Sequence, residues 1–250
     1  MIKKALTLVL GVLSLVIIGY SFKPSATAPD SKSAAMSDSL ISADQIAIAP
    51  DSDSLLYNEL NLQGQIPYSA FKQALTGYKR IDGRKKDLLT FIDFTKASTE
   101  ERFFVIDLSK RKILYNTVVS HGRNSGMNYA TKFSNKNGSY QSSLGFYLTG
   151  GTYNGKNGYS MLLDGLEKGI NDRARERAIV VHGAPYANPS VIKASGRLGR
   201  SLGCPALPQS VSKEIIDVIK NGSVLYIHAN DSDYLVKSDI IASKKTHHNG

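Results

Sequence analysis

The chain has 250 residues, 42% hydrophobic and 21% charged, with 21 Gly and 8 Pro, which suits one globular domain with extensions and excludes a wholly disordered polymer. Its formal charge of +10 is uneven, because residues 30–59 carry one Lys against six acids while residues 60–250 carry 27 Lys and Arg against 15 acids. So basic a body suits a polyanionic partner: nucleic acid, an anionic membrane face or a wall polymer with free carboxylates. Cys204 is the only cysteine, so an intrachain disulfide framework and a cysteine-rich zinc site are both excluded.

Lys3 and Lys4 precede an apolar run from Ala5 to Tyr20, and Ala26, Thr27 and Ala28 then offer an A-x-A-like cleavage site. The run is short for a membrane span of ~20 residues. Residues 1–28 therefore read as a signal peptide or, uncleaved, as a signal anchor that tethers the chain to the membrane. Either way the body is exported, to the periplasm or cell envelope. Residues 29–53 are rich in Ser, Ala and Asp and read as a disordered linker.

A helical lead-in is expected over residues 54–84, with Ser69 capping a helix in which Phe71, Ala74, Leu75 and Tyr78 recur at i, i+3, i+4 and i+7. Short β-rich runs follow at Leu88–Phe94, Arg102–Leu108, Ile113–Val119, Gly145–Thr149, Ala178–His182 and Val224–His228, mostly antiparallel, with Ser109–Lys112 as a hairpin connection. Gln209–Lys220 places Val211, Ile215, Val218 and Ile219 on one helical face, with Gly222 as its stop signal. A mainly β domain with peripheral helices thus spans residues 85–237, and residues 238–250 form a polar tail ending in Lys244, Lys245, His247 and His248.

Candidate chemistry concentrates between Ala178 and Pro208. The apolar strand Ala178–Val181 ends in His182 and Gly183, which sets an imidazole at a strand end. Three glycines, Gly196, Gly199 and Gly203, precede Cys204 and allow several backbone N–H groups to face one spot. A thiol beside an imidazole becomes a nucleophile. A free cysteine is otherwise a small buried hydrophobe, and the exported context, Gly-rich loop and strand-end His together favour chemistry.

At these residues the sequence resembles the L,D-transpeptidase catalytic-domain family of bacterial cell-wall enzymes, in the murein L,D-transpeptidase branch ending in Ser-x-Gly-Cys-Pro-Ala-Leu. The matching segments are Val181–Tyr186 and Ser201–Cys204, joined by His121–Gly126, Phe133–Asn135, Ser142–Tyr147 and Asn171–Asp172. Leu202 stands where the wider family has a second His, and Pro205 replaces an aliphatic residue.

The resemblance implies a mixed β-sandwich or barrel of the L,D-transpeptidase type, with Cys204 as nucleophile, His182 as the base and the Gly183 carbonyl orienting the imidazole. It implies peptidoglycan tetrapeptide stems as partners and no metal or cofactor. D-Ala would be released and a 3→3 cross-link formed through a Cys204 thioester; water as acceptor would make the protein an L,D-carboxypeptidase. Backbone N–H groups of Cys204 and Gly203 are the expected oxyanion donors, and Leu202 is expected to be a packing residue.

Arg200 reads as a binder of a stem carboxylate or a solvated surface residue. Tyr186 reads as a groove wall or a packing residue, His121 as a cleft residue or a core one, and Ser201 as an organiser of the loop. His228, His247 and His248 read as structural or tail residues. The rivals are another secreted cysteine peptidase, for which no Cys-Trp motif exists in a chain without Trp, and a non-catalytic peptidoglycan-binding module. Nucleic acid is not an expected partner, since an exported chain meets little of it and no aromatic-basic motif is present.

Overall fold

A computed structural model describes residues 51–242. The expected signal segment, most of the expected linker, and Lys244, Lys245, His247 and His248 lie outside the described residues. Among the described residues, no helix is long and apolar enough to cross a membrane.

Helix α1 (Ser52–Glu59) starts at Asp51, whose carboxylate accepts the N–H of Ser54 at 2.7 Å, so regular structure begins inside the stretch read as linker. Helix α2 (Tyr68–Arg80) buries Phe71, Ala74, Leu75 and Tyr78 as the periodicity requires. Its N-cap position is Pro67, with no side-chain cap, and Ser69 lies within the helix. Proline already holds the φ that the helix entry needs, so the expected Ser69 cap is not used.

Eight strands follow: β1 (Leu88–Asp93), β2 (Phe103–Asp107), β3 (Lys112–Thr117), β4 (Gly145–Gly155), β5 (Gly158–Gly165), β6 (Val180–Gly183), β7 (Ala206–Leu207) and β8 (Val224–His228). Helix α3 (Pro189–Ser195) lies between β6 and β7, α4 (Gln209–Ile219) between β7 and β8, and α5 (Ser232–Lys237) after β8. The strands form one sheet in the order β3-β2-β1-β8-β4-β5-β6-β7. Pairing is antiparallel except for β1 with β8 and β6 with β7. Beyond β3, Ser120 bridges Ala206 and Gly122 bridges Ser201, so the two ends of the sheet meet and it nearly closes into a barrel. The fold is mostly β with few helices, as the sequence implies.

Strand β4 runs beyond the expected Gly145–Thr149 and pairs with β5, which is not among the expected strands. Gly150 and Gly151 lie at a register shift between Thr149 and Thr152, a bulge that lets β4 bend and continue. Beneath α2, Phe146 on β4 stacks on Tyr226 of β8 at 4.2 Å between ring centroids. Helix α4 buries Ile215, Ile216 and Ile219 against the sheet.

Glu167 is buried and, among the described residues, has no cation beside it. It accepts the N–H of Phe146 at 2.6 Å and hydroxyls from Tyr234 and Ser238. Those bonds fasten α5 and the start of the expected polar tail, and Arg80 further holds the carbonyl of Ile240 at 2.6 Å.

Gly77 lies mid-helix in α2, where a Cβ would overlap the buried Phe146 ring. Alanine normally favours a helix over glycine by about 1 kcal/mol, but overpacking a filled core costs about 1–3 kcal/mol. Gly77→Ala is therefore expected to lower the thermal unfolding temperature. An equal or higher value would contradict the packing described.

Candidate active site

Strand β6 delivers His182 and Gly183 at its C-terminal end, and its parallel pairing with β7 sets His182 opposite Ala206. Cys204, two residues before Ala206, thereby arrives next to the imidazole strand although 22 residues separate the two in sequence. Both side chains line one cleft of about 320 Å³, together with Asn157, Arg177, Ala178, Ile179, Tyr186, Arg200, Ser201 and Leu202.

His182 is 3% exposed, and its Nδ1 lies 3.0 Å from the Gly183 carbonyl oxygen. A carbonyl can only accept, so Nδ1 carries the hydrogen and Nε2 keeps its lone pair. Burial pulls the imidazole below its ordinary value, partly offset by that hydrogen bond, which keeps the ring neutral at pH 7. Cys204 is 7% exposed, and its thiol donates toward the Ala178 carbonyl at 3.6 Å. Burial pushes the thiol up; the backbone N–H of Val180, the Arg177 charge and its own N–H work in the opposite direction. The resting pair is thus a neutral thiol and a neutral imidazole.

Serine hydroxyls hold the loop bearing the thiol. Ser201 Oγ donates to the Cys204 carbonyl at 2.6 Å and accepts the Gly203 N–H at 3.1 Å, while Ser142 Oγ donates to the Gly203 carbonyl at 3.1 Å. Ser201 is therefore an organiser of the loop. The Gly203 N–H is consumed inside the loop, which corrects its expected place as an oxyanion donor. Among the described residues the Cys204 N–H has no backbone or side-chain carbonyl acceptor. Gly203 has φ +130°, and a Cβ there would sit 2.9 Å from the Gln141 carbonyl oxygen and 2.9 Å from Ile179, so only glycine allows the turn that presents the thiol.

Tyr186 and Arg200 both stand in the cleft wall. Burial, with the neighbouring Cys204, pushes the Tyr186 phenol up. Arg200 commits Nη1 to the carbonyls of Arg123 at 2.9 Å and Gly126 at 3.2 Å. Leu202 is 57% exposed, which corrects its reading as a packing residue: the turn set by Gly203 points it outward at the cleft rim.

His121 is not in the cleft wall. It is wholly buried, with Nδ1 2.8 Å from Arg102 Nη2 and Nε2 3.3 Å from the Gly126 carbonyl. Arg102 can only donate, so Nδ1 accepts and Nε2 bears the hydrogen. His121 is a core residue, drawn inward because Arg102 needs an acceptor. His228 is likewise buried, stacked on Phe91.

Four cleft residues were not anticipated. Asn157 comes from the β4–β5 turn, Ala178 and Ile179 from just before β6, and Arg177 from the segment Asp172–Arg177, where three arginines alternate. That alternation reads as surface charge, and only tertiary structure singles out the one turned inward. Among the described residues, no group of three or more His, Cys, Asp or Glu side chains is placed to hold a metal ion.

The L,D-transpeptidase catalytic domain model matches residues 62–228, about two thirds of the chain. The chain belongs to the L,D-transpeptidase catalytic-domain family. The matched span includes α2 and begins after α1. The structure is similar to an L,D-transpeptidase from Mycobacterium smegmatis (15% identity, 57% of this chain and 59% of that chain, TM-score 0.36). It is also similar to L,D-transpeptidase 3 from Mycobacterium tuberculosis (13%, 57% and 61%, TM-score 0.36). A further similarity is to the helical cell shape determining protein Pgp2 from Campylobacter jejuni (14%, 64% and 56%, TM-score 0.38). The chain spans between 56% and 61% of the length of these proteins. No curated protein sequence matches it.

Burial and the Arg102 charge take His121 down to about 4, against about 6.5 for an unfolded imidazole. Between those values the unfolded chain binds more protons, so stability is complete above pH 6.5 and is lost as pH falls toward 4. The expected contribution is on the order of 3 kcal/mol. His121→Gln, which can accept from Arg102 but cannot be protonated, is expected to shrink the drop in unfolding temperature between pH 7 and pH 4.5. A drop equal to that of the unaltered protein would contradict this.

Proposed function

We propose that the protein is an exported cysteine acyl-transferase acting on peptidoglycan tetrapeptide stems, with Cys204 as nucleophile and His182 as its acid-base partner. The observation that carries this reading is the shared cleft of the thiol and an imidazole whose Nδ1 is anchored on the Gly183 carbonyl. Anchoring leaves Nε2 as the site that accepts and returns protons.

In this reading the Cys204 sulfur attacks the carbonyl joining the third, diamino-acid residue of the stem to its terminal D-Ala, and His182 Nε2 takes the thiol proton. The Cys204 N–H steadies the developing oxyanion; such a donor is worth about 10²–10³ in rate elsewhere. Nε2 then protonates the departing D-Ala amine, leaving a thioester. The side-chain amine of a second stem attacks the thioester carbonyl and gives a proton to His182 Nε2; the C–S bond breaks, the 3→3 cross-link forms and the sulfur takes that proton back as the Cys204 thiol. Water as acceptor yields the tripeptide instead.

The basic body and the half-buried Arg200 fit a substrate carrying free carboxylates, Arg200 Nη2 and Nε being the atoms offered to one. Tyr186 walls the groove. The N-terminal segment would deliver the domain to the cell envelope and, if uncleaved, tether it to the membrane.

The test is incubation of the chain with disaccharide tetrapeptide and mass analysis of products, where a dimer with loss of D-Ala is the expected result and tripeptide marks hydrolysis. Cys204→Ser should abolish turnover with the fold preserved. His182→Ala should cost about 10²-fold or more. Leu202→His should keep turnover near normal and shift stability within about 0.5 kcal/mol, because the side chain is exposed. No product from the unaltered protein, or near-normal turnover in Cys204→Ser, would overturn the reading.

A further inference from the structure

The three arginines just before β6 have different fates. Arg173 pairs with Glu176 and Arg175 with Asp164, both at the surface. Arg177 folds inward and is half-buried in the wall of the Cys204 cleft. Its guanidinium donates to the carbonyls of Ser134 and Gln141, each at 2.7 Å, and to the hydroxyls of Ser143 and Ser139. Every one of these acceptors is neutral, and no carboxylate among the described residues pairs with it. Its Nη2 is 3.5 Å from the point that a Cβ on Gly203 would occupy, one residue before the thiol.

A cation withdrawn from water without a counter-charge is costly. The ionisable groups sharing the cleft are His182, Tyr186, Arg200 and Cys204. His182 can become only cationic, Arg200 is itself a cation with Nη1 committed to backbone carbonyls, and the Tyr186 phenol is held protonated by burial. Tyr147, the other ionisable group beside Arg177, is likewise held protonated by burial, so Cys204 is the group whose ionisation during reaction would set a negative charge beside the guanidinium.

We infer that Arg177 is a positioning residue whose fixed, unpaired guanidinium serves as the counter-charge for the Cys204 thiolate. The inference rests on Cys204 being the reactive thiol and extends that reading. The four hydrogen bonds hold the charge in place, so no reorganisation is needed when the sulfur ionises. The direction of the Arg177 effect on the thiol, and of the thiol on Arg177, agrees with this arrangement. In a site where the family's second His is Leu202, Arg177 supplies positive charge that does not titrate in the working range.

The test reads the rate of Cys204 alkylation by iodoacetamide against pH in the full chain, with unfolding temperature recorded for each variant. Arg177→Gln is expected to move the midpoint up by about one pH unit, slowing alkylation at pH 7 about tenfold, while Arg177→Lys stays near the unaltered protein. A folded Arg177→Gln with an unchanged profile overturns the inference and leaves Arg177 as a tie for residues 134–143. Should Arg177→Gln not fold, the unaltered protein decides. Its preference for iodoacetate over iodoacetamide should exceed that of free cysteine several-fold and persist in Arg200→Gln. A preference equal to free cysteine, or one lost in Arg200→Gln, overturns the inference. Alkylation needs no muropeptide, so failure here and failure of the transpeptidase reading are separate results.

Discussion

Two residues of strand carry the arrangement of this site. Ala206 pairs in parallel with His182 on one side and bridges Ser120 on the other, so the same short strand closes the sheet and fixes the thiol loop beside the imidazole. Parallel pairing sets the spacing: it runs β7 alongside β6 in the same direction, and the residues just before Ala206 must then approach the strand that ends in His182. Loop freedom is removed by hydroxyls rather than by apolar packing, with Ser201 and Ser142 taking up the polar groups of Gly203 and the Cys204 carbonyl. An unpaired backbone group at this depth would cost about 1–3 kcal/mol, so these bonds both permit the burial and set the presentation of the sulfur.

Burial gives the site its resting chemistry. It disfavours the charged form of both partners, the thiol pushed up and the imidazole pulled down, so the pair rests neutral, and in the proposed reading the proton moves as the sulfur reacts. In the proposed reading, the Gly183 carbonyl fixes which imidazole nitrogen acts as the base. The half-buried Arg177 guanidinium, which faces only neutral acceptors, would then lower the cost of the sulfur's charge. The Leu202 position fits this account: an outward-facing side chain at the rim is not needed for proton transfer when Nε2 of His182 is open.

Elements with a local signal were legible in the sequence. The apolar period of α2 and the β-rich runs of β1, β2, β3, β6 and β8 are present close to where the residues demand them. The helix face of α4 is rotated slightly, burying Ile216 where Val211 and Val218 were expected, because helix contact follows the sheet surface rather than the ideal period. Strand β5 is not among the expected strands although Asn157–Gly158 is a hairpin signal, because Gly150, Gly151, Gly155 and Gly158 interrupt the β-rich pattern before it. Strand β7 has two residues between prolines, and nothing local distinguishes it from a turn. At the site, Cys204 and His182 stood out because a lone thiol, a Gly-rich loop and a strand-end imidazole are unusual together. Arg177, the depth of His121 and the exposure of Leu202 depend on which way a side chain turns in three dimensions, and no spacing encodes that.

The central claim is that the Cys204 sulfur carries the stem peptide between donor and acceptor. It is tested most directly by quenching the protein in acid during reaction with tetrapeptide stem and mapping the adduct by peptide mass. The account predicts a tripeptide acyl group on the peptide containing Cys204, short of the stem by one D-Ala and removed by hydroxylamine. Turnover with no adduct on that peptide, or an adduct on a different residue, would contradict it.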